Sequence, residues 1–262
     1  MRVRRFYRFI TIALLSFCLI SCAKKAENEV AAPPPDSARI GETVTKCDAL
    51  FKEREDIAKL REAVKSLSAV RNPDSRNYEV EWKFAKYNFF LGKRLTDDKE
   101  KEKAFEDGAQ AGRIASRIEP NKPDGYFWYG ANLGEEAKLS PVTVGVKSVD
   151  EIRAAMNKSI ELDPKYQNAS AYDGLAQVEL STSGVMGGKP EKAIEYLETA
   201  LKLDDDNSNL HLHLAEAYLA TNKKDEARKQ LEYLIKMKPN PDYAFEHAET
   251  VEKAKKLLET KF

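Results

Sequence analysis

The chain has 262 residues, 42% of them apolar and 33% charged, with 43 basic residues matched by 43 acidic ones. That length and apolar share are enough for one or two domains with a sizeable core. The charge balance argues against a nucleic-acid surface, which needs a basic excess gathered on one face.

The first element is a targeting segment. "MRVRRFYRF" carries Arg2, Arg4, Arg5 and Arg8, and "FITIALLSFCLIS" follows without a charge. A basic stretch, an apolar stretch too short to span a bilayer comfortably and a small residue read as a secretory signal. Its removal leaves the mature chain mildly acidic, with four more acidic than basic residues. "LISC", Leu19 to Cys22, resembles a bacterial lipobox. The resemblance implies a signal over residues 1–21 and a Cys22 that becomes the first mature residue and carries acyl chains. The alternative is an ordinary signal cleaved after Ser21 or Ala23. Ala23 rather than aspartate follows the cysteine, which in Gram-negative lipoproteins points to the outer membrane, facing the periplasm. Residues 22–40 are polar, small and proline-rich around Pro33, Pro34 and Pro35, which suits an extended tether. Cys18 leaves with the signal and Cys22 is lipidated. Cys47 is then alone, cannot form an intrachain disulfide, and reads as a small buried residue.

From residue 41 to 262 apolar residues recur at helical spacing, and no clear alternating run appears. "CDALFKERED" with "IAKLREAVKSLSAVRNP" forms a degenerate first pair. "WKFAKYNFFLG" with "DGAQAGRIASRIEP" offers Phe84, Ala85 and Gly92, then Gly108, Gly112, Ala115 and Pro120. "YFWYGANLGEEA" with "IRAAMNKSIELDP" offers Tyr126, Tyr129, Gly130 and Leu133, then Pro164, across a turn lengthened by "SPVTVGV". "AYDGLAQVEL" with "KAIEYLETALKLDDD" offers Tyr172, Leu175 and Ala176, then Ala193, Leu197 and Ala200. Residues 208–241 are the most regular: Leu214, Ala215 and Tyr218 on a first helix, Asn222 at a turn, Ala227, Leu231 and Leu234 on a second, and Pro239 to end it. This 34-residue pattern resembles the tetratricopeptide repeat, in which a small residue lets paired helices approach and a large ring fills the gap beside it. The resemblance implies an all-α fold of about eleven helices, paired antiparallel and stacked into a right-handed superhelix. Residues 242–260 would be the capping helix that such a stack needs.

"SGVMGGKPEKA", Ser183 to Ala193, superficially resembles a phosphate loop. Such a loop needs G-x₄-G-K-[ST] after a strand. Here Gly184 and Gly188 stand too close together, and Pro190, which has neither a backbone N–H nor a hydroxyl, follows Lys189. A lengthened turn, with Pro190 starting the next helix, accounts for the stretch without a nucleotide. His211 and His213 diverge by 200° on a helix and cannot share a metal. Asp204–Asn207 lacks the glycine and distal glutamate of a calcium loop. No catalytic residue, metal ligand or cofactor is expected.

Narrower motifs resemble the T-component of tripartite ATP-independent periplasmic (TRAP) transporters: "YFWYGANLG", Tyr126 to Gly134, and Gly187 and Gly188 before "KAIEYLETALKL", Lys192 to Leu203. Where members carry an aromatic shortly after the first motif, "EEAK" stands here. This resemblance implies a partner protein on the repeat surface, namely a periplasmic solute-binding protein, and a hydrophobic or acidic ligand. The alternative is a scaffold lipoprotein of an outer-membrane assembly complex. In tetratricopeptide proteins the second, fifth, ninth and twelfth positions of each first helix line the concave face, a narrow stripe at helical spacing. That rule nominates Trp82, Lys86 and Phe89, then Phe127, then Asp173 and Gln177 as a ligand groove, with Lys86 as an anion contact. If the second repeat is shifted by one residue, Trp82, Ala85 and Phe89 become ordinary core. Gly92 at the turn opposes that shift, while Glu81 and Asn88 at core positions favour it.

Cys22→Ala should abolish acylation and leave an unanchored precursor or soluble chain. Acyl chains still present by mass spectrometry would overturn the lipoprotein reading.

Overall fold

The structure, a computed structural model, describes residues 37–262. The expected signal over 1–21, Cys22 and most of the 22–40 tether lie outside the described residues. Among the described residues eleven α-helices follow one another: α1 (Ser37–Lys52), α2 (Ile57–Val70), α3 (Tyr78–Arg94), α4 (Asp98–Ile118), α5 (Pro123–Leu139), α6 (Val146–Leu162), α7 (Tyr166–Ser181), α8 (Pro190–Leu203), α9 (Ser208–Ala220), α10 (Lys224–Lys236) and α11 (Ala244–Lys261). The first begins ahead of residue 41, so the helical body takes in the end of the expected tether. Among the described residues there is no β-strand, only a single bridge between Ser183 and Gly188, and no helix is long and apolar enough to cross a membrane.

The helix starts follow local chemistry. Asp56, Asn77, Asp97 and Asn207 each accept a hydrogen bond from a backbone N–H of the first turn that follows. Pro123 and Pro190 open α5 and α8, where a missing N–H costs nothing. Consecutive helices pack on one another throughout. The odd-numbered helices α1 to α9 also touch one another in series and form the inner layer, with the even-numbered ones outside. This is a tetratricopeptide-like solenoid.

Small residues set the spacing between layers. Ala85, Ala115, Ala193, Ala215 and Ala227 are fully buried. Between α4 and α5 the backbones approach so closely that a Cβ on Gly112 would lie 2.5 Å from the Tyr129 nitrogen. A buried ion cluster anchors the base of α3: Glu81 is fully buried and accepts from Arg71 (2.7 Å) and Arg76 (2.8 Å). Asn88 is buried as well and donates to the Phe84 carbonyl. Both polar residues therefore occupy core positions, each with its partners, while Ala85 keeps the small-residue site.

The C-terminus does more than cap. Along α11, Thr250 and Ala254 are buried and the helix packs on α9 and α10. Its first turn and the 3₁₀ turn before it, Pro241–Tyr243, also reach back to the start of the molecule. Arg54, between α1 and α2, donates to both oxygens of Glu246 at 2.8 Å and to the Asp242 carbonyl. Arg94, at the end of α3, donates to the same Glu246 at 3.3 Å. Tyr243 donates to the Gln167 side chain. The segment thus crosses the inner face of the solenoid.

Glu246→Ala leaves two largely buried guanidiniums without their carboxylate. It should cost about 3 kcal/mol of stability and speed amide exchange in the first turns of α11. An unchanged melting temperature together with unchanged exchange would rule out this clasp.

Candidate functional site

The inner face of α3, α5, α7 and α9, roofed by α11, encloses a cavity of about 790 Å³. Its α3 and α5 side is aromatic and aliphatic, and its α7 and α9 side adds polar residues such as Ser170, Gln177 and Asn209. Phe89 packs edge-on against Phe90 and lies 5.6 Å from the Trp128 ring centre, and Phe127 meets Trp128 at 4.8 Å. Met156 and Val178 extend this surface. The mouth carries apolar residues that nothing covers: Val142 is 81% exposed and Val185 87%, with Val146 and Met186 beside them. They come from the two lengthened turns. "PVTVG" forms a π-helical turn, Pro141–Gly145, running into α6, and the glycine turn between α7 and α8 supplies Val185 and Met186.

That glycine turn bonds its N–H groups within the chain. Gly184 and Gly187 have φ of 74° and 78°, a region that favours glycine. The Gly188 N–H donates to the Thr182 carbonyl, and the Lys189 N–H donates to Glu179 at 3.0 Å. Glu179 is itself buried and paired with Arg153 at 3.2 Å. The chain's own carboxylate takes the place a phosphate would need.

The charged groups of the cavity are mostly paired. Glu135 sits between Lys93 (3.1 Å) and Lys138 (2.8 Å); burial works against its charge, but the two ammonium groups outweigh burial and hold its pKa below the usual carboxylate range. His213 lies 2.7 Å from Asp173. His211 turns away to Gln230 and the Asp205 carbonyl, so the two histidines diverge. No group of acidic, histidine or cysteine side chains suited to a metal occurs among the described residues. Cys47 is fully buried, and burial pushes its thiol up to about 11.

Of the six groove residues nominated from the repeat pattern, Phe89, Phe127, Asp173 and Gln177 line the cavity. Trp82 and Lys86 do not. They lie on the same stripe of α3 but nearer its start, where α1 packs against it. Trp82 is half-buried against the core. The Lys86 ammonium lies 4.7 Å from the Phe51 ring centre and 5.8 Å from that of Trp128; burial, with Arg54 and Lys83 adding, lowers its pKa to about 8. It is held over these rings and stands outside the cavity lining. The stripe rule missed Arg94, His247 and the two apolar lips. The lips had a signal: valines and a methionine inside turns, where polar residues are usual. Arg94 and His247 had none, because their placement depends on α11 crossing the groove.

A left-handed stretch shapes the floor. Gln167, Asn168 and Ala169 all have positive φ at the start of α7, a conformation costing roughly 1–3 kcal/mol per residue. The Asn207 amide donates to the Asn168 carbonyl, and the Asn168 amide to Asp204, which offset that cost.

Burial opposes the charging of His213, but Asp173 outweighs it and raises the histidine pKa above its ordinary value. The pair therefore contributes stability below about pH 6.5, the unfolded value, and loses it as pH rises through the higher folded value. Asp173→Asn should lower the melting temperature more at about pH 5.5 than at about pH 9. An equal deficit at both would mean that His213 stays neutral.

One solved tetratricopeptide structure shares this architecture. TTC0263, a thermophilic TPR protein of Thermus thermophilus, superposes with a TM-score of 0.59 at 16% identity, over 83% of this chain and 100% of that one. PilF of Pseudomonas aeruginosa gives a TM-score of 0.49 at 17% identity, over 86% and 90%. MamA of Desulfovibrio magneticus RS-1 gives 0.49 at 15%, over 74% and 94%. No curated protein matches the chain by sequence. The family model described as regulator of microtubule dynamics protein 1-3 matches residues 43–261, nearly the whole helical body. The chain belongs to the regulator of microtubule dynamics protein 1-3 family.

Proposed function

We propose that this protein is a membrane-anchored binding module whose inner groove takes an apolar ligand and exchanges it with a partner protein. The observation that carries the reading is the cavity of about 790 Å³ with an aromatic α3 and α5 side and an uncovered apolar mouth. That size falls within the range of small-molecule sites. Exposed apolar patches at a mouth mark contact with a ligand or a protein rather than with water. The anchor is Cys22. The fourteen residues 23–36 lie between it and α1, and the domain faces the periplasm at the outer membrane. A lipoprotein signal directs attention to an extracytoplasmic partner. The motifs at Tyr126–Gly134 and Lys192–Leu203 favour a solute-binding protein of a TRAP-type transporter. Catalysis has no part in this reading.

The test is a photocrosslinking amino acid at Val185, on the exposed lip, in cells making the full chain. Crosslinks to a periplasmic solute-binding protein support the proposal, particularly if they weaken when Ala131→Trp fills the cavity. Crosslinks confined to outer-membrane assembly proteins would overturn it in favour of a scaffold.

A further inference from the structure

Three buried nitrogen atoms on the cavity wall have no hydrogen-bond partner among the described residues: Arg94 Nη1, Gln177 Nε2 and His247 Nδ1. Each carries a proton or can carry one. The Arg94 and Gln177 nitrogens call for an acceptor, as does His247 in the tautomer that carries its proton on Nδ1, and a buried donor left unmet is costly.

Arg94 and His247 belong together. Glu246, next in sequence to His247, is the one carboxylate bonded to Arg94, and it is shared. Its shorter bonds, 2.8 Å to each oxygen, go to Arg54, while Arg94 receives one at 3.3 Å. Arg54 also donates to the Phe51 and Asp242 carbonyls, so its needs are met. Arg54 takes the shorter bonds of Glu246, and Arg94, held by one longer bond, faces the cavity with a nitrogen unmet. Glu249 is also on the cavity edge but is exposed to water. Of the other charged groups on the lining, Lys93 and Lys138 share Glu135 and are exposed to water, Lys253 is exposed too, and His213 is bonded to Asp173. The neighbouring surface on α3 and α5 is aromatic, with Phe89, Phe127 and Trp128.

We infer that Arg94 and His247 form the head-group subsite for the carboxylate of a single-chain amphiphile whose tail lies along Phe89, Phe127 and Trp128. This rests on the groove reading above and names its ligand class. A guanidinium fork and an imidazole N–H suit a carboxylate, which accepts several charge-assisted bonds at once. A small molecule is favoured over an extended peptide because the Pro241–Glu246 segment crosses the inner face and blocks a path along it. Val142 and Val185 at the mouth give an apolar tail its way in.

The test uses the full chain carrying Trp82→Phe, so that Trp128 is the sole tryptophan and reports on the cavity it lines. Dodecanoate, dodecanol and dodecyltrimethylammonium are titrated against its emission. Dodecanoate should bind about tenfold more tightly than dodecanol, with the cation weaker still. His247→Leu should reduce the preference for the acid about threefold and Arg94→Leu should remove it, with dodecanol binding unchanged. The histidine variant breaks no other bond, so it tests the subsite even if Arg94→Leu loosens the fold. Equal binding of acid and alcohol would overturn the head-group subsite and leave the apolar groove standing. A full preference retained in both variants would also overturn it. If no amphiphile binds while an extended apolar peptide does, the groove takes a protein segment, and both readings fall.

Discussion

Arg54 and Arg94 share the carboxylate of Glu246, and the closed shape of the inner face depends on that shared charge. A stack of helix hairpins is open by construction, since each repeat touches only its neighbours. Here residues far apart in sequence are tied across the opening. Arg54 is buried with every direction of its guanidinium used, by Glu246, by two carbonyls and by the Phe51, Phe90 and Tyr243 rings. Burying a cation is costly unless such partners surround it. The partners come from both ends of the chain, so the clasp forms only once the stack is complete. It turns a groove into a cavity, and it leaves Arg94 less satisfied than Arg54.

The lengthened turns contribute the other half of the site. In a regular repeat the turns are short and lie outside the binding surface. Here "SPVTVGV" and "SGVMGG" carry valine and methionine side chains to the cavity mouth. The glycine turn keeps its shape by bonding its own N–H groups to Thr182 and the buried Glu179. The backbone is therefore satisfied locally, and the apolar side chains are free to face outward. Exposed valine gains nothing from water, so its place at the mouth fits a surface that is covered part of the time.

Much of the body was legible in the chain alone. Ala215, Tyr218, Ala227, Leu231 and Leu234 are buried as the repeat pattern requires, and Asn222 turns with φ of 60°. The stripe rule brought Phe89, Phe127, Asp173 and Gln177 to one cavity because a helix repeats its faces every 3.6 residues. Trp82 and Lys86, on the same stripe, stand outside that cavity. Helical spacing says which residues share a face. It does not say where along that face a neighbour, here α1 with Phe51, covers it.

The sequence by itself determined the helices, their ends, their pairing and the all-α solenoid, because each depends on residues a few positions apart: a cap, a proline, a small residue opposite a ring. It also made the glycine turn unfit for a nucleotide, since Pro190 has no N–H to offer. Only the tertiary structure decided that the last helix crosses the inner face, that Glu246 serves two arginines, and that Arg94 and His247 end at the wall of the cavity. Those are contacts between residues some 150 to 190 positions apart. No local period encodes them, because they arise from the accumulated curvature of the whole stack.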